Sequence, residues 1–200
     1  MSNAAVPSLP QAVTIGSREI TLRRIGGNDR EAIIAFARSL PEHDLLFLRR
    51  DITQGEVVDE WLHEAEAGEA TTILADAGGA VVGYATVYRS PLPWTAHVGE
   101  LRVLTAPTMR GLGLGRVLTG YAFDVALALG IEKMVAQMTL DQEAAIATFQ
   151  ALGFRPEAVL RDHVRDRAGR KHDLIVLTRD VARFERERQT YGVLEAFGRP

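Results

Sequence analysis

The sequence predicts a mixed α/β domain in which helices cover both faces of one central sheet. Short runs that alternate apolar and polar residues indicate strands, and longer runs with apolar residues at helical spacing indicate helices. These runs follow one another as strand, two helices, three strands, helix, strand, helix and two strands. This order is not that of a regular βαβ array, so a simple parallel sheet is not expected.

In the first half of the chain, each predicted helix ends at a recognisable stop signal. Ile20 and Leu22 alternate with polar neighbours, which is typical of a half-buried strand. Two helical stripes follow, and Pro41 and Gly68 stand directly after them. The predicted elements are a strand over 18–25, helices over 30–40 and 56–67, a hairpin over 71–89 that turns at 77–79, and a strand over 97–105.

In the second half, a long apolar stripe begins behind a glycine-rich loop and continues to Gly130. We expect residues 1–17 to be a flexible tail, residues 18–178 to form the domain, and residues 179–200 to be a charged helical tail. The predicted elements are a helix over 114–129, a strand over 133–139, a helix over 142–152 that stops at Gly153, and a closing hairpin over 158–178.

Composition excludes several classes of protein. Two hundred residues suffice for one domain with a core, and a net charge of -3 gives no general attraction to nucleic acid. The chain has no cysteine, which excludes disulfides and thiolate metal sites and fits a reducing compartment. It shows no signal-peptide pattern and no apolar run of about 18 residues. We therefore expect a cytoplasmic protein that binds neither nucleic acid nor membrane.

The loop "TMRGLGLGR", residues 108–116, lies between a predicted strand and a predicted helix. Such a loop gathers unpaired backbone N–H groups at the positive end of the helix dipole, which favours a phosphate ligand. It does not match the dinucleotide pattern G-x-G-x-x-G, because Arg116 and Leu118 stand where the third glycine is needed. It does not match a Walker A loop either, since Arg116 and Val117 follow Gly115.

The pattern that fits is R/Q-x-x-G-x-G/A, with Arg110, Gly113 and Gly115 at the defining positions. Here the chain resembles the Gcn5-related N-acetyltransferases, the GNAT family. The resemblance covers about residues 18–178 and includes Pro107 and the segment "AAIATFQALGF". It implies a mostly antiparallel central sheet of about six to seven strands, with acetyl-CoA as co-substrate and no metal.

The same resemblance implies where acetyl-CoA binds. The end of the strand would line the pantetheine arm, with the backbone N–H of Leu104 near the thioester carbonyl. The glycine loop would bind the pyrophosphate, and Gln142 falls where the family often has an asparagine that contacts the coenzyme. The implied coenzyme residues are Val103, Leu104, Thr105, Arg110, Gly111, Leu112, Gly113, Leu114, Gly115, Arg116 and Gln142.

An amine must lose a proton before it attacks a thioester, so the site needs a base. Glu100 resembles the glutamate that serves as general base on this strand in some family members; the alternative is a surface glutamate paired with Arg102. Phe149 stands where many relatives have a tyrosine that protonates the coenzyme sulfur. Water, Tyr121 or the solvent therefore remains as the proton source for the thiolate.

Three further features stay open between a functional and a plain structural role. His97 either joins a proton path or ends a strand, and the five histidines are too scattered to predict a metal site. The charged segment 161–173 either recognises the acceptor or is a solvated hairpin. Trp94 either walls the acceptor pocket or packs in the core.

Two functions from different classes follow. The first is an N-acetyltransferase that acts on a primary amine, which is a small molecule, a peptide N-terminus or a protein lysine; residues 39–52 resemble members that acetylate lysines. The second is a non-catalytic acyl-CoA-binding regulatory module, which Phe149 keeps open. A homodimer is a further expectation, since the C-terminal tail either packs on a partner or is solvated. Its apolar residues are Val181, Phe184, Val193 and Leu194.

Overall fold

The computed structural model describes residues 8–46 and 48–191, and within them eight strands form one sheet. The prediction of a mixed α/β sheet is confirmed, although the sheet has one strand more than the six to seven expected. The strands are β1 (Gln11–Ile15), β2 (Arg18–Arg24), β3 (Ala70–Ala77), β4 (Ala80–Arg89), β5 (Val98–Thr105), β6 (Lys133–Thr139), β7 (Arg155–Arg165) and β8 (Lys171–Asp180).

The strand order is β1-β2-β3-β4-β5-β6-β8-β7. Every neighbouring pair is antiparallel except β5 and β6, which run parallel. The sheet is therefore mostly antiparallel, as the resemblance implied. The helices are α1 (Arg30–Arg38), α2 (Glu42–Leu45), α3 (Gly55–Ala67), α4 (Leu114–Ala128), α5 (Glu143–Ala151) and α6 (Val181–Tyr191). In the described part of the chain, none of them has the length and apolar character needed to cross a bilayer.

Two successive residues of β4 show that helices cover both faces of the sheet. A Cβ atom at Gly83 would contact Leu114 and Leu118 of α4. The ring of the next residue, Tyr84, packs edge-on against Trp61 of α3, with the ring centroids 5.1 Å apart. Because successive residues of a strand point to opposite faces, α4 and α3 lie on opposite sides of the sheet.

The segment expected to be an N-terminal tail contributes the edge strand β1. Residues 11–15 pair with residues 18–22 of β2, and the side chain of Ile15 is buried in the core. The sequence signal was weak because only Val13 and Ile15 alternate, and the strand is held by pairing with β2. Residues 1–7 lie outside the described residues.

The C-terminal segment also differs from the expected tail, because β8 continues to Asp180 and α6 packs on α4. The ring centroids of Phe184 and Phe123 lie 4.3 Å apart. The side chains of Val181 and Phe184 are buried within this chain. These two residues are therefore not available to a partner subunit. Val193 and Leu194, the other residues proposed for a dimer contact, lie outside the described residues.

Candidate functional site

The parallel strands β5 and β6 diverge after a short stretch of pairing. Residues 98–100 pair with residues 133–135, and the pairing stops there. Beyond this point β5 continues along β4 to Thr105, whereas β6 continues along β8 to Thr139. We call the space between residues 101–105 of β5 and residues 136–139 of β6 the cleft.

The hydrogen-bond alternation of β4 and β5 decides which backbone groups face the cleft. The N–H of Ala106 donates to the carbonyl of Val82 over 2.8 Å, and the same register pairs Leu104 with Tyr84. In an antiparallel ladder every second residue is hydrogen-bonded to its partner, so Leu104 bonds to β4 and Val103 turns its N–H and C=O toward the cleft. The structure thus differs from the expectation that the Leu104 N–H serves the site.

The glycine loop follows β5 directly and faces open space. Gly111 and Gly113 have φ values of +73° and +93°, and a Cβ at either position would meet no atom within 4 Å. Residues that carry a side chain rarely adopt this left-handed backbone conformation, which explains why glycine occupies both positions. Because Gly113 has no side chain to cap α4, the N–H groups of the first helical turn are available to an anion.

Two arginines give the loop positive charge. Arg116, in the first turn of α4, is half-buried, and among residues 8–46 and 48–191 no carboxylate lies within 4.0 Å of its guanidinium. Arg110 is half-exposed and forms an ion pair with Asp44 of α2. Open backbone amides, a helix N-terminus and a guanidinium without a carboxylate partner among the described residues together make the loop suited to a pyrophosphate group.

Glu100 lies on β5 at the closed end of the cleft and is paired with two arginines. The Nε of Arg102 donates to its Oε1 over 2.7 Å, and Nη1 of Arg49 approaches its Oε2 at 3.4 Å. Arg102 also donates to the carbonyl of Gln137 over 3.1 Å and so bridges the two diverging strands. The ion pair with Arg102, anticipated as the alternative for Glu100, is therefore present, and it lies at the cleft.

Phe149 and Tyr121 are both unsuited to protonate a thiolate in the cleft. Phe149 is buried, and its ring packs edge-on against Phe154 at 5.0 Å. The hydroxyl of Tyr121 donates to the side chain of Gln11 on β1. Since β1 is the edge strand four positions from β5, Tyr121 points away from the cleft.

Three other residues singled out from the sequence occupy well-defined places. Gln142 precedes α5 near the open end of the cleft, and its side-chain oxygen accepts the N–H of Thr139 over 3.1 Å. His97 is exposed just before β5, where its backbone carbonyl accepts two N–H groups at the start of β6. Trp94 is 75% exposed, so it neither packs in the core nor lines the cavity beside the cleft.

That cavity, which we call the side cavity, has a volume of about 370 Å³. Its apolar lining consists of Leu46, Leu48, Val164 and Leu174, and its polar lining of Arg102, Gln137, His163 and Arg165. It opens on the face of β5 that carries Arg102 and Glu100, because residues two apart on a strand share a face. Sequence reasoning anticipated segment 161–173 here. It singled out residues 39–52, which include the loop after α2, only for their resemblance to members that acetylate lysines and did not predict that they line a cavity.

The short helix α2 is held over this region by contacts of three successive residues. Glu42 lies 3.4 Å from Arg167 in the turn between β7 and β8, and Asp44 pairs with Arg110 of the glycine loop. Between them, His43 lies 3.9 Å from Asp141, in the loop after β6. Each of these three residues therefore contacts a different loop around the open end of the cleft.

The turn between β7 and β8 has its own polar cluster. The carboxylate of Asp166 contacts the imidazole of His172 at 3.1 Å and the Nε of Arg170 at 2.8 Å. The hydrogen bond with His172 is the main cause that lowers the pKa of Asp166 to about 2, and bonds from Arg170 add to it. Among the residues described, no group of three or more His, Asp or Glu side chains converges as a metal site would require.

Comparison with known proteins identifies relatives of this architecture. A family model described as the acetyltransferase (GNAT) family matches residues 31–154. No curated protein matches the sequence significantly.

Solved structures share the fold over most of the chain. A GNAT-family acetyltransferase from Streptococcus pneumoniae is 21% identical with a TM-score of 0.68, covering 80% of this chain and 99% of its own. YncA from Salmonella typhimurium, solved with its cofactor acetyl-CoA, is 24% identical with a TM-score of 0.69. The match covers 81% of this chain and 94% of YncA. An N-acetyltransferase from Staphylococcus aureus Mu50 is 20% identical with a TM-score of 0.71. The match covers 81% of this chain and 98% of that protein.

Proposed function

Because the chain belongs to the GNAT family of acetyltransferases, we propose that it transfers the acetyl group of acetyl-CoA to a primary amine. The observation that carries the proposal is the cleft between β5 and β6, which opens directly beside a glycine loop with free space before it. The presence of acetyl-CoA in the similarly folded YncA supports the same choice of co-substrate.

The residues around the cleft fit the parts of this co-substrate. Residues 110–116 would hold the pyrophosphate through the amides of the loop and of the first turn of α4, with Arg110 and Arg116 adding charge. The backbone groups of Val103 and Thr105 face the cleft and would bind the pantetheine arm as a neighbouring strand would. The side chain of Leu104 lies on the face of β5 that carries Arg102 and Glu100, where the acceptor would bind. Gln142 would close the open end of the cleft.

When bound, acetyl-CoA supplies a thioester whose carbonyl carbon an amine nitrogen can attack. We assign the N–H of Val103 to the carbonyl oxygen, where it stabilises the negative charge that develops in the transition state. The ammonium first gives one proton to a base. The carbon–nitrogen bond then forms, the carbon–sulfur bond breaks, the nitrogen gives up its second proton to solvent, and the thiolate takes one. Since Phe149 has no proton to donate, solvent supplies the proton that the thiolate takes.

Glu100 is the proposed acceptor of the amine's proton. Its Oε1 is bound by Arg102, whereas its Oε2 has only the longer contact of 3.4 Å with Arg49. Oε2 is therefore the oxygen that can receive a proton, directly or through one water molecule. The same face of β5 carries the side cavity, so an amine in that cavity would approach Glu100.

The acceptor is a small molecule, a peptide N-terminus or a protein lysine. Structures with this fold carry names that point to different acceptors, among them a spermidine N-acetyltransferase chimera and a ribosomal-protein-alanine N-acetyltransferase from Brucella melitensis. The fold alone therefore does not select one. A cytoplasmic location and a homodimer stay predictions.

The direct test combines a binding and a turnover measurement on the same sample. Acetyl-CoA is expected to raise the melting temperature, and suitable amines are expected to cause release of free thiol. Binding without thiol release from any amine would favour the non-catalytic acyl-CoA-binding module, for which Phe149 is the supporting feature. Absence of binding would contradict the assignment of the glycine loop.

A further inference from the structure

The side cavity carries a positive charge that no carboxylate of its lining neutralises in the described part of the chain. Its polar lining contains two arginines and a histidine but no carboxylate. Arg102 is paired with Glu100, at 2.7 Å. Arg165 has no carboxylate within 4.0 Å in the part of the chain that the structure describes.

The carboxylates near Arg165, either in the sequence or at the turn between β7 and β8, are bound by other residues. Its neighbour Asp166 is held by His172 and Arg170, within the turn between β7 and β8. Glu42, which reaches the same turn from α2, contacts Arg167 instead. Of the two arginines that line the cavity, Arg165 is therefore the one without a carboxylate partner among the described residues.

We propose that the acceptor is a small amine that also carries a carboxylate, and that Arg165 binds this carboxylate. The inference rests on the proposed function. Glu100 would receive the ammonium end at the cleft, while Arg165 on β7 holds the anionic end at the opposite wall. A guanidinium binds a carboxylate through two parallel hydrogen bonds, which positions the substrate as well as attracting it.

The size and lining of the cavity fit this class of acceptor. A volume of about 370 Å³ lies at the low end of the roughly 300–1,000 Å³ common for small-molecule sites. Leu46, Leu48 and Leu174 would contact the carbon chain between the two charged ends. A diamine or polyamine would bring a second positive charge to Arg165, where no carboxylate of the cavity compensates it.

The alternative role for Arg165 is protection of the sheet edge, because charged residues on an edge strand prevent pairing with other chains. β7 is such an edge strand, and Arg161 on it is likewise exposed. Arg161 does not line the side cavity. It therefore provides a matched control: an arginine on the same strand that should affect edge protection but not the acceptor.

The experiment uses three series of amines with matched chain length: ω-amino carboxylates from glycine to 6-aminohexanoate, the corresponding n-alkylamines, and the corresponding diamines. Thiol release gives kcat and KM for each, and calorimetry with coenzyme A present gives binding without turnover. We expect an amino carboxylate to be preferred, with Arg165→Ala raising its KM about tenfold or more. Arg161→Ala should leave the KM for amino carboxylates unchanged. Arg165→Ala should leave the KM for alkylamines unchanged.

The outcomes separate this inference from the proposed function. Turnover of diamines or alkylamines in preference to amino carboxylates, or an Arg165→Ala variant with unchanged KM, would overturn the inference and leave the acetyltransferase intact. Arg165-dependent binding of amino carboxylates without any thiol release would support the inference and contradict the proposed function. If amino carboxylates were neither bound nor acetylated, the inference would be overturned.

Discussion

Gly113 shows how a single residue can be required for both backbone conformation and ligand approach. Its φ of +93° is strained for any other residue, and the space in front of it is empty within 4 Å. The first property affects folding, whereas the second matters only if a ligand approaches the backbone closely. A bulky side chain at this position therefore tests the proposed pyrophosphate site.

We expect Gly113→Trp to weaken coenzyme A binding by more than about tenfold, because the indole would occupy the space that the phosphates need. Isothermal titration calorimetry measures the loss directly. Gly78→Trp is the matched control, since Gly78 also has a positive φ and open space but lies in the turn between β3 and β4. Equal effects of both substitutions would attribute the loss to backbone strain and not to the ligand.

Replacing Glu100 by Gln should lower kcat about 10²- to 10⁴-fold, the usual contribution of a general base. Coenzyme binding should be retained, since Gln keeps the shape of the side chain and still accepts a hydrogen bond from Arg102. The defect should shrink as the pH rises toward about 10, where amines lose their proton in solution. A rate loss that does not depend on pH would assign Glu100 a structural role in orienting Arg102.

At the scale of elements, α2 is a single turn whose position depends on its contacts. A helix of four residues is not stable alone, and exposed ion pairs contribute little individually. Glu42 and Asp44 reach the β7–β8 turn and the glycine loop respectively, so the loops that would bind acceptor and coenzyme share one connecting element. The β7–β8 turn itself is organised around Asp166.

The turn should lose its stabilisation by Asp166 at low pH. The pKa of this carboxylate is lowered from 3.8 to about 2 in the folded state, chiefly by His172. A folded-state pKa below the unfolded one contributes stability above the unfolded pKa, and that contribution is lost as the pH falls through the folded pKa. The difference in unfolding free energy between wild type and Asp166→Asn should therefore narrow as the pH falls from about 4 to about 2.

Urea unfolding at a series of pH values measures this difference. Asp162→Asn is a suitable control on the same hairpin, because Asp162 is exposed and has only a 3.5 Å contact with Lys171. A difference for Asp166→Asn that stays constant between pH 5 and pH 2 would contradict the role assigned to the His172 and Arg170 contacts.

At the scale of the whole molecule, one hydrophobic core extends from the first strand to the last helix. Ile15 of β1 and Phe184 of α6 belong to the same cluster of buried residues. Segments expected from the sequence to be tails thus complete the domain. Burial of Phe184 against Phe123 implies that α6 stabilises the single chain before any association is considered.

Phe184→Ala should lower the free energy of unfolding by about 3–5 kcal/mol, because it removes a fully buried aromatic side chain. Chemical denaturation measures the loss, and Phe184→Leu, which leaves a smaller cavity, should lose less. Light scattering on the same variants should show the molecular mass of the wild type. A halved mass with unchanged unfolding free energy would instead show that Phe184 belongs to a subunit interface.

Much of the fold was predictable because local patterns report it. Residues 133–139 were predicted as a strand and form β6, and the stripe from Leu114 onward forms α4. The R-x-x-G-x-G pattern indicated the phosphate-binding loop and the family, since this chemistry depends on residues that are adjacent in sequence. The edge strand β1 was missed, because pairing with β2 contributes more to it than its own apolar residues do.

The sequence by itself determined the mixed α/β class, the glycine loop and the family to which the chain belongs. Only the tertiary structure decided that Val103, and not Leu104, faces the cleft, because hydrogen-bond alternation depends on the register with β4. It likewise brought Arg102, Arg165 and the loop after α2 around one cavity. Periodicity describes how each residue is buried, whereas pairing and cavities depend on residues far apart in the chain, which no local pattern encodes.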